Sequence, residues 1–147
     1  MGCATLPWNP SDPCDPGALI DVSVMNSQDV IDAWNSEGLV CPPPVTMKAL
    51  VDTGAAVTII SKTFARHCKL YQTGEGTVRA LGAQHKCGEH AGKVVFPNTS
   101  LRPIESIRIL SGDFIGEPRF ACLIGRDILR DWTITFDGRR NLVTITD

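Results

Sequence analysis

No apolar stretch in this chain approaches the ~20 residues that a helical membrane span requires. No block of like charge occurs either, and the formal net charge is only −2 over 147 residues. That balance argues against nucleic acid or an anionic membrane surface as the main partner. The opening "MGCATLPWNPSDPC" has neither a basic segment nor an apolar core of the kind an export signal needs, so the expected location is cytoplasmic. None of the six cysteines stands in a CxxC pair, and without an export signal free thiols are the expectation. There is no internal repeat and no low-complexity tract. What remains is ordinary: 43% hydrophobic and 20% charged residues, enough for one domain with a real core.

The pattern along the chain is mostly that of short strands. Residues 1 to 16 hold four prolines and little periodicity, and read as an irregular arm ahead of a domain spanning 17–147. "ALIDVSV" (18–24), "VTMKALV" (45–51), "AVTII" (56–60), "IESIRIL" (104–110) and "RFACLI" (119–124) read as strands. "SQDVIDAWNSEG" fits a short helix capped by Ser27, and "SKTFARHCKL" fits a second. "RDILRDW" gives one or two helical turns that Asp127 can cap. "WTITF", "DGRR" and "NLVTI" form a closing hairpin with Asp137-Gly138 at its turn. "GTVRALGA" and "AGKVVF" read as arms of a long hairpin around the polar segment "QHKCGEH". Many short strands with minor helices predict an all-β closed barrel with one or two short helices.

One stretch departs from packing logic. "ALVDTGAAVTIIS" (49–61) is a buried-looking strand that stops at Asp-Thr-Gly. A carboxylate left buried without a partner is costly and normally avoided. The plain alternative, a turn or cap carboxylate, does not account for its setting. Ala49, Leu50 and Val51 precede the triplet, Ala55 follows it, and "LIGRD" (123–127) lies far downstream. Together these resemble the retropepsin family of aspartic proteases, with the closing "ACLIGRDILRDWTITFDG" nearest in pattern to cellular and bacterial-type members.

The resemblance implies a barrel of retropepsin type that acts as a symmetric homodimer on a polypeptide substrate, without a cofactor. Each chain would supply one catalytic aspartate, Asp52, and the sequence contains no second Asp-Thr/Ser-Gly. Thr53 would reach across to the partner's loop. Gly54 would let two backbones approach where a Cβ collides. Two carboxylates about 3 Å apart cannot both ionise, so the pair holds one proton: one member serves as base for a water, the other as acid. Pepsin-like enzymes usually carry Ser or Thr after the triplet. Ala55 has no hydroxyl to favour the ionised form, which predicts a mildly acidic to near-neutral optimum. Ala55 is also placed at the substrate, with Gly82 and Ala83 of a flap at 77–95. Gly125, Arg126 and Asp127 are expected to be structural. In retroviral members the motif arginine has an acidic partner two positions after the motif glycine; that position here is Ala56. Residues 132–146 are expected to contribute to the dimer interface.

His85, Cys87 and His90 are acceptable zinc ligands, but a tetrahedral site needs a fourth, and a polar hairpin tip accounts for them without metal. Trp8, Trp34 and Trp132 read as packing residues. The polar flap leaves a competing possibility, a catalytically silent module of the same fold that dimerises and binds peptides.

Overall fold

The computed structural model describes residues 1–80, 82–113 and 119–147. Its strands are β1 (Cys3–Pro7), β2 (Leu19–Asn26), β3 (Val45–Val51), β4 (Ile59–Ser61), β5 (Gln72–Ala80), β6 (Ala83–Val95), β7 (Ile104–Gly112), β8 (Cys122–Ile124), β9 (Thr133–Asp137) and β10 (Leu142–Thr146). Three short helices interrupt them: α1 (Gln28–Ser36), α2 (Lys62–His67) and α3 (Arg126–Leu129). Strands β2-β3-β8-β4-β7-β6 run in that order, and β6 pairs back onto β2, closing a six-stranded barrel. Closure leaves none of these six strands as a bare edge. β5 hangs from β6 as the far arm of a hairpin.

Most neighbours are antiparallel, but β3–β8 and β4–β7 are parallel. β8 is thus held between a parallel partner, β3, and an antiparallel one, β4. The residues lining the interior follow the period of two that a pleated strand dictates. Ile20, Val22 and Val24 of β2, Met47, Ala49 and Val51 of β3, and Val143 and Ile145 of β10 are all buried in one core. Trp132 closes one side of it edge-on against Phe96, ring centroids 5.0 Å apart.

Four local expectations change. The expected irregular arm contains β1, which pairs with β10 from Cys3↔Thr146 to Pro7↔Leu142. Ala4 and Leu6 alternate inward from it, and Pro7 stands at the strand end, where its missing N–H costs least. Asp147 anchors this region: its carboxylate accepts the Gly2 and Arg102 N–H groups, both at 2.6 Å. The strand expected at 56–60 is β4, shifted to Ile59–Ser61, because residues 52–58 are taken up by a loop. The closing hairpin turns through residues 138–141 rather than at Asp137-Gly138 alone. Asn141 takes the left-handed conformation (φ 55°), and Asp137 Oδ1 accepts the N–H groups of Arg139 and Arg140.

The fourth change concerns the hairpin expected to serve as a flap. "QHKCGEH" is not a loop but the body of β6, paired with β5 from Gln84↔Arg79 to His90↔Gln72. The turn lies between the paired Ala80 and Ala83 and includes Gly82 (φ 79°). Leu81 lies outside the described residues. The polar side chains misled because the first of them are outward-facing strand positions on an exposed hairpin: Gln84 and Lys86 are exposed while Cys87 and His90 are buried.

Candidate active site

The Asp-Thr-Gly triplet sits where β3 leaves the barrel. The Asp52 N–H donates to the Ile124 carbonyl (3.0 Å) and the Ala55 N–H to the Asp52 carbonyl (3.2 Å), so the turn is locked at once to β8 and to itself. Asp52 Oδ1 accepts the Gly54 N–H at 2.8 Å. A Cβ on Gly54 would lie 3.1 Å from that same oxygen, so a side chain there would crowd the carboxylate. Asp52 and Ala55 are half-buried, whereas Thr53 and Gly54 are exposed on the protomer surface.

A second loop, from Gly125 to Asp127, supports the first. Arg126 donates its backbone N–H to the Ala55 carbonyl (2.9 Å), and its guanidinium reaches the Thr53 carbonyl (2.9 Å) and the Gly54 carbonyl (3.4 Å). With Ala56 offering no carboxylate, this arginine holds the carbonyl side of the triplet directly. Gly125 packs against the backbone of Val57 so closely that a Cβ would fall 2.5 Å from its carbonyl carbon and oxygen.

Asp127 does not cap α3 at the N-cap, which is Gly125. Its carboxylate instead takes the backbone N–H of Thr58 (2.9 Å) and the Thr58 hydroxyl (2.8 Å), while also receiving the Ile128 N–H (3.0 Å). Thr58 is fully buried and in turn accepts the Gly125 N–H. Sequence reasoning gave Thr58 no role; the pairing joins residues 58 and 127, too far apart in the chain for local pattern to reveal. Similarly, Ser27 starts α1 without a side-chain capping bond, whereas Ser61 caps α2 by accepting the Phe64 N–H.

Gly82 and Ala83 lie at the exposed end of the β5–β6 hairpin. A small apolar cluster, separate from the main core, joins this hairpin to the strand after the triplet. It comprises Ile59, Cys87 and Leu110, with Val57 and Val78 against them.

His85, Cys87 and His90 of the hairpin do not converge. Among the described residues no group of three His, Cys, Asp or Glu side chains is placed to hold a metal ion. The His90 ring is buried, with Nδ1 3.2 Å from the Tyr71 carbonyl and Nε2 2.8 Å from Ser111 Oγ. The carbonyl can only accept, so the neutral ring carries its proton on Nδ1 and takes the Ser111 hydroxyl proton at Nε2. Burial holds the His90 pKa below its ordinary value, against hydrogen bonds that raise it. The cations Lys62, Arg66, Lys69 and Lys86 and the acid Glu75 line the same cavity. A depressed folded-state value means that the unfolded chain binds the proton first as pH falls. Stability is therefore expected to drop as pH goes below about 6.5, the ordinary histidine value, and His90→Gln should flatten that slope in urea melts between pH 5 and 7.

Burial pushes the thiols of Cys122 and Cys68 up to about 12 and about 11, so both stay protonated and serve as packing. No helix among the described residues is long and apolar enough to cross a membrane.

This arrangement, an Asp-Thr-Gly turn braced by a Gly-Arg-Asp turn in a closed barrel, defines an acid-protease fold. The sequence profile described as aspartyl protease matches residues 40–128, and the chain belongs to that family. The fold is shared with a retropepsin-like aspartic protease from Rickettsia conorii: TM-score 0.57, 16% identity, covering 99% of this chain and 91% of that one. It is also shared with the EIAV protease complexed with the inhibitor HBY-793: TM-score 0.51, 18% identity, covering 82% and 92% respectively. No curated protein sequence matches the chain.

Proposed function

We propose that the protein is an aspartic endopeptidase whose catalytic pair is Asp52 from each of two identical chains. The observation that carries this reading is the half-buried Asp52 carboxylate, held by the Gly54 N–H in a turn braced from behind by Arg126. One carboxylate cannot be acid and base at once, and the exposed flank of Thr53 and Gly54 leaves that face of the turn open to a two-fold copy. In the paired state the ionised member removes a proton from a water lying between the two carboxylates. The protonated member hydrogen-bonds the scissile carbonyl and later hands its proton to the departing amine.

The polypeptide would lie extended between the hairpin tip, at Gly82 and Ala83, and the floor at Ala55. Val57 and Val78, the half-buried members of the small apolar cluster, support a preference for an apolar side chain beside the scissile bond. β9 keeps one edge unpaired by any described strand, and it supports the interface expected at 132–146.

A dilution series tests the pairing. Peptide-cleaving activity per chain should fall steeply once the protein drops below its dimer dissociation constant. Thr135→Glu, which sets like charges across a self-paired β9, should move that fall to higher concentration. Cleavage proportional to concentration down to the monomer, as shown by sedimentation, would reject the shared site. Complete absence of cleavage from a peptide library by a stable dimer would favour the silent peptide-binding module.

The residue after the triplet gives a second check. Ala55→Ser supplies a hydroxyl within reach of Asp52, favouring the ionised carboxylate. The acidic limb of the activity profile should move to lower pH, read from kcat/KM against pH with one peptide.

A further inference from the structure

A cavity of about 480 Å³ lies between α2 and β6, with Cys87 of the apolar cluster in its lining. Four cations line it: Lys62, Arg66 and Lys69, spaced to share one face of α2 and its end, and Lys86 from β6. Glu75 is the acid in the lining, and Asp113 pairs with Lys62 at 3.3 Å. Arg66, Lys69 and Lys86 have no ion-pair partner among the described residues. The floor is the buried His90–Ser111 pair, and it needs Gly88, because a Cβ there would fall 2.8 Å from Ser111 Oγ and 3.1 Å from His90 Nε2.

The backbone at one of these cations is unusual. Lys69 follows the C-cap of α2 in the left-handed conformation, φ 47°. Glycine is the favoured residue at that position, since a Cβ is strained there. The chain accepts that strain and sets a fourth positive charge around a half-closed space.

We infer that this cavity is a binding site for a compact, multiply charged oxyanion of the phosphate class, either inorganic or carried by a small molecule. The Arg66 guanidinium supplies the fork that suits two phosphoryl oxygens, and the three lysines supply point charge. Since its walls are α2 and β6, an occupied site ties the root of the flap hairpin to the barrel. The ligand therefore acts on flap mobility from outside the peptide cleft.

Pyrophosphate is the probe, titrated calorimetrically into the intact protein against sodium chloride of matched ionic strength. Saturable binding beyond the salt control is expected, weakened at least tenfold in Lys86→Gln and in Lys69→Gly. Free Lys69→Gly should melt at a higher temperature than the parent, so weaker binding there cannot be blamed on misfolding. Amide exchange across residues 84–90 should slow when pyrophosphate is bound. Binding no stronger than salt, equal affinity in the variants, tighter binding of an oligo-glutamate peptide, or unchanged exchange in β6 would each overturn the assignment. None of these readouts depends on peptide cleavage, so their outcome is separable from that of the protease reading.

Discussion

Asp52→Asn is expected to abolish peptide cleavage, by about 10³-fold or more, while leaving fold and assembly intact. Asparagine has the same shape as aspartate, and its side-chain oxygen can still accept the Gly54 N–H that Oδ1 accepts at 2.8 Å. What it loses is the ability to take a proton from water or to share one with a second carboxylate. Melting temperature and sedimentation should therefore be unchanged while turnover vanishes. A mixed particle, with one parental chain and one Asp52→Asn chain carrying different tags, sharpens the result. If the site is shared, that hybrid is also inactive; if each chain works alone, it keeps half the activity. A variant that still cleaves the library at parental rate would remove Asp52 from the chemistry.

Gly125→Ala should have the second large effect, on stability. The backbone at Gly125 (φ −91°, ψ 179°) is extended and open to any residue, so no conformational strain is involved. The whole cost is contact: the new methyl would sit 2.5 Å from the Val57 carbonyl carbon and oxygen and 2.9 Å from its Cα. These are main-chain atoms that cannot rotate aside, and they lie between the two loops that brace the triplet. A loss of about 3 kcal/mol or more in urea unfolding is expected, at the upper end of overpacking effects. Gly138→Ala is the control. Its nearest neighbour is Pro10 Cγ at 3.8 Å, and its effect should be within about 0.5 kcal/mol. Equal small effects at both positions would mean that the loops are not in contact as described.

Periodicity and two short motifs made much of this architecture readable. Alternation at 18–24 and 45–51 gives β2 and β3 because inward and outward positions differ in kind. Asp-Thr-Gly after an apolar strand is chemically odd enough to stand out, and "LIGRD" is its distant companion. Other features depend on partners that local pattern does not contain. β1 looked irregular because prolines surround it, yet two inward side chains, Ala4 and Leu6, suffice when β10 is alongside. The polar run at 84–90 looked like a tip because loops are polar, but so is an exposed strand. Asp127 looked like a cap because aspartate after a turn usually is one. Its real partner, Thr58, belongs to the other loop. The cationic cavity was invisible for the same reason, since Lys86 joins the α2 residues only once the hairpin is folded back.

The parallel pairing of β3 with β8 also sets an order of events during synthesis. Val51 meets Ile124, and the Asp52 N–H finds its acceptor only there. Residues 122–127 are made long after the triplet, and closing so distant a contact is entropically slow. A nascent chain thus carries its aspartate on an unbraced turn until nearly the whole domain has left the ribosome. For the proposed protease, the brace behind its aspartate would then be among the last parts delivered.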